Sequence, residues 1–184
     1  FHDNGILNTH ITGEFEIGMT DRFDVGLYQQ FNQSSGESLR FAGTKIRFRY
    51  RLSQPGKYLM DPLFYFEYKI DPLFKYPKYE TKLILGKRIG KFILAANPVV
   101  EFEKSEDSWE TDWKYTSGMS YQVNKRNHIG LEMMVSEGAN YLGPVFSHGK
   151  NSLWISLGTL YLVSGDTHQF PELQSRIIMG IRLQ

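Results

Sequence analysis

The stretch Lys45-Ile46-Arg47-Phe48-Arg49-Tyr50-Arg51-Leu52 alternates cation and apolar residue without a break. Successive side chains of a β-strand point to opposite sides of the sheet. Lys45, Arg47, Arg49 and Arg51 therefore share one side, and Ile46, Phe48, Tyr50 and Leu52 share the other. A helix would scatter both sets around its circumference, so the period of two predicts a strand. A sheet built on this strand has one greasy surface and one densely charged surface. Two environments accommodate it: a polar interior with lipid outside, or a packed apolar core with the charges in water.

The same alternation recurs along the chain. Residues Gly5 to Met19 read as a first strand, with Phe15, Ile17 and Met19 opposed to Glu14 and Glu16. Thr20-Asp21-Arg22 is a tight polar turn, and Phe23 to Phe31 returns with Phe23, Val25 and Leu27 on one face. Further strands are predicted over Leu39–Leu52, Leu63–Ile70, Tyr79–Arg88, Phe92–Lys104, Thr111–Val123, Ile129–Val135, Leu142–His148, Leu153–Val163 and Ser175–Leu183. Pro-Gly at 55–56, Ile89-Gly90-Lys91, Asn124 to Asn127 and Gly149-Lys150-Asn151 supply the turns between them. Pro98 and Pro144 argue against continuous ladders in their segments, because proline donates no N–H. No segment shows a helical period. The expected fold is all-β, an antiparallel up-and-down transmembrane β-barrel in a single domain over residues 1–184. Eleven strands are legible, whereas single-chain bacterial barrels have an even number. An additional N-terminal strand is expected outside this stretch, giving about 12.

Cost decides between lipid and water. A basic residue facing hydrocarbon at the bilayer midplane costs roughly 2–4 kcal/mol, so the four cations of 45–51 cannot all face lipid. With Phe48 and its neighbours outward, Lys45, Arg47, Arg49 and Arg51 line an interior. Glu67, Glu80, Lys82, Glu101, Glu103, Asp112, Lys114, Glu132, Arg176 and Arg182 are the other expected lining residues. Such a lumen is nearly neutral but zoned. Short turns follow the first, fifth, seventh and ninth strands and longer loops follow the second, fourth, sixth and tenth, with the long turn after the third strand as the exception, and this phase puts the C-terminus on the short-turn, periplasmic side. The competing soluble reading, a lipocalin-like barrel or sandwich, requires the opposite packing.

Composition narrows the classes further. The chain has 21 Lys plus Arg against 20 Asp plus Glu, a net charge of +1, and no cysteine. A balanced charge exerts no long-range pull on nucleic acid, and without cysteine neither a disulfide framework nor a thiolate metal site can form. Mean hydropathy is −0.38, and no apolar run approaches the roughly 20 residues of a membrane-spanning helix. Barrels evade that test because half of every strand is polar. Aromatic residues at 15% suffice for the girdles that flank a lipid band. The opening Phe1-His2-Asp3-Asn4 lacks a signal-peptide pattern, which fits a mature form, a fragment or a cytosolic protein.

Residues Glu14-Phe15-Glu16-Ile17-Gly18-Met19-Thr20-Asp21-Arg22-Phe23-Asp24-Val25-Gly26-Leu27 form a strand, a Thr-Asp-Arg turn and a returning strand. This hairpin resembles one seen in poorly characterised bacterial outer-membrane β-barrel families, including transporter families associated with phenol-degradation operons. The resemblance implies an outer-membrane barrel and does not specify a substrate. It departs at the end of the chain, where Ile181-Arg182-Leu183-Gln184 lacks the terminal aromatic of the usual barrel-assembly signal.

Chemistry-bearing constellations are few. The basic row projects every second residue, about 7 Å apart, and reads either as a track for anions through a pore or as a set of interior salt bridges. Ser147 with His148, and Ser120 with His128, are the candidate nucleophile–base pairs. Adjacent strand residues face opposite ways, so the first pair cannot meet directly. The histidines are dispersed, without metal-ligand spacing, and no glycine-rich phosphate cradle is present. No cofactor and no enzymatic activity are expected, a lipid-modifying hydrolase that depends on His128 or His148 being the alternative. The leading expectation is a passive or weakly selective pore of the bacterial outer membrane, with membrane lipid as its partner and no nucleic acid. The alternative is a filled barrel that docks another envelope protein through the loop Asp71 to Lys78, where Phe74 and Tyr76 stand out.

Overall fold

A computed structural model describes residues 8–183 of the chain. All regular structure there is β: β1 (Thr9–Gly18), β2 (Phe23–Gln33), β3 (Arg40–Arg51), β4 (Asp61–Ile70), β5 (Lys78–Ile89), β6 (Phe92–Lys104), β7 (Trp109–Gln122), β8 (Asn127–Ser136), β9 (Ala139–Lys150), β10 (Leu153–Gly165) and β11 (Leu173–Ile181). They form one sheet of 11 strands in which every strand pairs with its neighbours in sequence. No ladder joins β1 to β11 among the described residues.

Strand identities match the alternation, and the differences lie at the ends. The first strand begins at Thr9, and the part of the predicted strand before residue 8 lies outside the described residues. β9 runs from Ala139 straight through Pro144, and β6 contains Pro98. Beside Pro144 the missing N–H has a visible consequence. The β9–β10 pairing goes from Val145↔Gly158 to Leu142↔Tyr161, skipping Pro144 and Gly143. The strands close in there, since a Cβ on Gly143 would lie 1.7 Å from the Thr159 carbonyl oxygen. A bulge between Gln30 and Phe31 pairs Phe31 with Phe41, and the two rings meet edge-on at 5.8 Å. The extra residue shifts the phase of β3, so Phe41 stays with the apolar set.

The residue contacts gather into two compact units. The first comprises β1–β3, Leu63–Lys82 and Val100–Thr111; the second comprises Ser53–Pro62, Leu83–Val99 and Asp112 onward. In the first unit the registers align apolar rows across four strands: Phe15, Leu27, Ile46 and Tyr68, then Ile17, Val25, Phe48 and Phe66. Ring contacts link Phe23, Phe48, Phe66, Tyr79 and Trp109 at centroid spacings of 5.8–6.4 Å. In the second unit the equivalent row is Tyr121, Ile129, Phe146, Leu157 and Ile177. None of these rows is buried. Phe15 is 58% exposed, Phe48 36%, Ile129 51% and Ile177 69%.

Candidate functional site

The buried positions are on the other face. In the first unit Arg47 and Glu67 are each 5% exposed and Glu101 4%, the reverse of the distribution in a water-soluble domain. Register explains the assembly around Arg47. Three polar rows cross β1–β4: Glu14, Tyr28, Lys45, Lys69; Glu16, Gly26, Arg47, Glu67; and Gly18, Asp24, Arg49, Tyr65. Gly26 stands between Arg47 and Glu16. With no side chain at that position, the guanidinium lies across β2 and reaches β1. Nη2 meets Glu16 Oε2 at 2.5 Å and Asp24 Oδ1 at 3.3 Å, and Nη1 meets Glu14 Oε1 at 2.6 Å. Nη1 also donates to the Tyr28 hydroxyl. Arg49 shares two of these acids, at 2.6 Å to Glu16 and 2.8 Å to Asp24.

The network continues along the same face. Lys45 Nζ lies 2.7 Å from Glu67 Oε1, whose other oxygen accepts a 2.6 Å hydrogen bond from the Tyr65 hydroxyl. Lys82 bonds Glu80 at 2.6 Å and sits 4.2 Å above the Tyr65 ring, close enough for a cation–π attraction. Lys78 bridges Glu101 and Glu103, each at 2.9 Å. Every carboxylate here has a cation within contact, so the face carries strong local fields with little net charge.

The polar face of the second unit is thinner. Its rows run Gly118, Glu132, Gly143; Ser120, Gly130, Val145, Gly158, Arg176; and Gln122, His128, Ser147, Ser156. Arg176 on β11 reaches Glu132 on β8 at 2.6 Å. A Cβ on Gly158 would lie 3.5 Å from Glu132 Oε2 and 3.8 Å from Arg176 Nη2. Glycine thus again lets an arginine span intervening strands. Ser147 bonds Ser156 at 3.0 Å and Asn97 donates to Thr116 at 2.9 Å.

Among the residues singled out from sequence, Lys45, Arg47, Arg49, Glu67, Glu80, Lys82, Glu101 and Glu103 meet in the first network. Glu132 and Arg176 pair in the second unit. Arg51 is exposed at the end of β3, Asp112 and Lys114 are half-buried on β7, and the backbone N–H of Arg182 donates to Ser152 O at 2.9 Å. Glu14, Glu16, Asp24 and Tyr28 were not among the predicted lining residues, although the tight turn at 20–22 sets the register that brings the three acids to Arg47. His148 faces away from Ser147 and contacts Asn127 Oδ1 at 2.6 Å. His128 stands opposite Ser147 in the ladder, but its Nε2 has no protein partner. Among the described residues no three His, Asp or Glu side chains converge as a metal site.

The loop after β4 is ordered by one carboxylate. Asp71 accepts hydrogen bonds from the backbone N–H groups of Leu73, Lys75 and Tyr76 at 3.0, 2.7 and 2.7 Å. These donors, that of Tyr76 foremost, hold its pKa below the ordinary 3.8. The turn places Phe74 in the left-handed region at φ 57° with 77% of its surface exposed. Tyr76 turns back, and its hydroxyl lies 3.4 Å from Glu106 Oε1.

No protein-family model matches the chain, and no curated protein matches it.

Proposed function

We propose that this chain is an integral β-barrel protein of a bacterial outer membrane, acting as a passive, weakly selective pore for small solutes. The inversion of burial carries the membrane assignment: Phe15, Phe48, Leu131 and Ile177 are exposed while Arg47, Glu67 and Glu101 are covered. Apolar rows of this extent are stable against acyl chains and a liability against water. Barrel closure is part of the proposal, because an open sheet edge within hydrocarbon leaves backbone groups unsatisfied at several kcal/mol each.

Two features favour a wetted interior over a packed one. Lys45, Lys78, Lys82 and Arg49 keep 22–28% of their side-chain surface accessible. In addition Gln30 Oε1, Asn97 Oδ1 and His128 Nε2, on the polar faces, are covered without a protein partner, a condition that water relieves in a channel. The pairing of Arg47 and Arg49 with carboxylates lowers the expected anion preference. Planar-bilayer recordings of the purified chain test the reading, with discrete channels of weak ion preference as the expected result. The second reading, a filled barrel docking an envelope partner, is favoured by the partners that both terminal nitrogens of Arg47 find in Glu14, Glu16, Asp24 and Tyr28 and by the ordered, exposed Phe74. It predicts no conductance.

A further inference from the structure

In the second unit the charges separate by strand end. At the end holding the β3–β4, β5–β6, β7–β8 and β9–β10 connections stand Lys57, Lys87, Arg88, Lys91, Lys125 and Arg126, followed by Lys150. The acid beside them is Asp61, the first residue of β4, which accepts a hydrogen bond from the Gly56 N–H at 2.5 Å. At the opposite end the connections carry Glu137, Asp166 and Glu172.

Two of the lysines lie beside aromatic rings, and a third is tied to the backbone of the first ring's residue. Lys57 Nζ is 5.4 Å from the Tyr58 ring centroid, and Lys91 Nζ is 5.8 Å from that of Tyr121. Lys87 Nζ donates to the Tyr58 carbonyl at 2.9 Å. Tyr121 packs with Phe92 at 5.1 Å, and it belongs to the exposed apolar row with Ile129. A hydrogen bond of 2.8 Å from Gln122 N to Lys91 O ties the β5–β6 turn to the end of β7. Ammonium groups held beside amphipathic tyrosine rings suit a membrane–water boundary.

We infer that the Lys57–Lys87–Lys91 rim, with Tyr58, Phe92 and Tyr121, seats the phosphate headgroups of anionic phospholipid at this end of the strands. The inference rests on the membrane reading above and adds its partner and its position. Among the described residues no carboxylate pairs with Lys57, Lys87 or Lys91, in contrast to Lys45, Lys78 and Lys82 of the first unit, so these ammonium groups are available to phosphate. Each basic residue at an anionic surface contributes about a fivefold change in affinity.

The test uses the full chain in detergent, offered to vesicles of pure phosphatidylcholine and to vesicles that also contain phosphatidylglycerol. Retained lipid is then read by native mass spectrometry. The expected result is insertion into both vesicles, with phosphatidylglycerol retained preferentially. The K57Q/K87Q/K91Q variant should lose that preference by at least about tenfold, whereas K75Q, in the loop after β4, should keep it. Insertion without a phosphatidylglycerol preference, or a preference that survives the triple variant, overturns the inference and leaves the membrane reading standing. Failure to enter either vesicle overturns both.

Discussion

Gly26 and Arg47 stand directly opposite each other in the β2–β3 ladder, and a Cβ on Gly26 would come within 3.1 Å of the guanidinium Cζ and Nη2. The vacancy at residue 26 is what lets Arg47 cross a strand and bind Glu14 and Glu16. A bulky substitution has to displace the guanidinium. Gly26→Leu should cost roughly 1–3 kcal/mol, read as a lower urea midpoint of the folded chain in vesicles. An unchanged midpoint would remove the crossing from the account.

Arg47 neutralises a cluster of acids that cannot separate. Arg47→Met leaves Glu16 and Asp24 with Arg49 alone and takes from Glu14 the guanidinium at 2.6 Å. A loss of about 3 kcal/mol is expected, the low end for breaking a buried ion pair. Arg49→Met, at a more exposed position, should cost about 1 kcal/mol or less. Equilibrium unfolding of the two variants side by side checks the ordering.

The apolar face gives a sharper contrast. Phe48→Arg and Leu131→Arg change residues that are already exposed, so in water each would be close to neutral. Against a bilayer midplane each should cost roughly 2–4 kcal/mol. Folding equilibria in vesicles measure the difference, and near-neutral values would contradict lipid contact.

The Asp71 loop has a predictable acid response. Its carboxyl pKa is lower folded than unfolded, so its contribution is complete above the unfolded value near 3.8. That contribution is lost as pH falls through the depressed folded value. Amide exchange of Leu73, Lys75 and Tyr76 should quicken in that acid window, and Asp71→Asn should quicken it at neutral pH. Phe74→Gly should leave the loop at least as well ordered, since glycine takes a positive φ without steric penalty.

The strands were legible because alternation is local: each of the eleven can be read from its own residues. Their ends were less so. β9 passes through Pro144 because the flanking pairs and the close approach at Gly143 hold the ladder together, and propensity alone does not register that support. The polar network was half legible. Lys45, Arg47 and Glu67 follow from parity, but the union of Arg47 with Glu14, Glu16 and Asp24 depends on register and on the emptiness of Gly26. The basic strand end is invisible to a net charge of +1, because acids elsewhere in the chain cancel it.

In the proposed membrane arrangement the apolar rows touch acyl chains while the charged rows face an aqueous interior. Because the chain has no cysteine, single spin labels can be placed at Phe48, Leu131, Arg49 and Thr116 in vesicle-reconstituted protein. Labels at 48 and 131 should be relaxed by oxygen and shielded from a water-soluble nickel chelate, with the reverse at 49 and 116. Nickel access at 48 and 131 equal to that at 49 and 116 would contradict that arrangement.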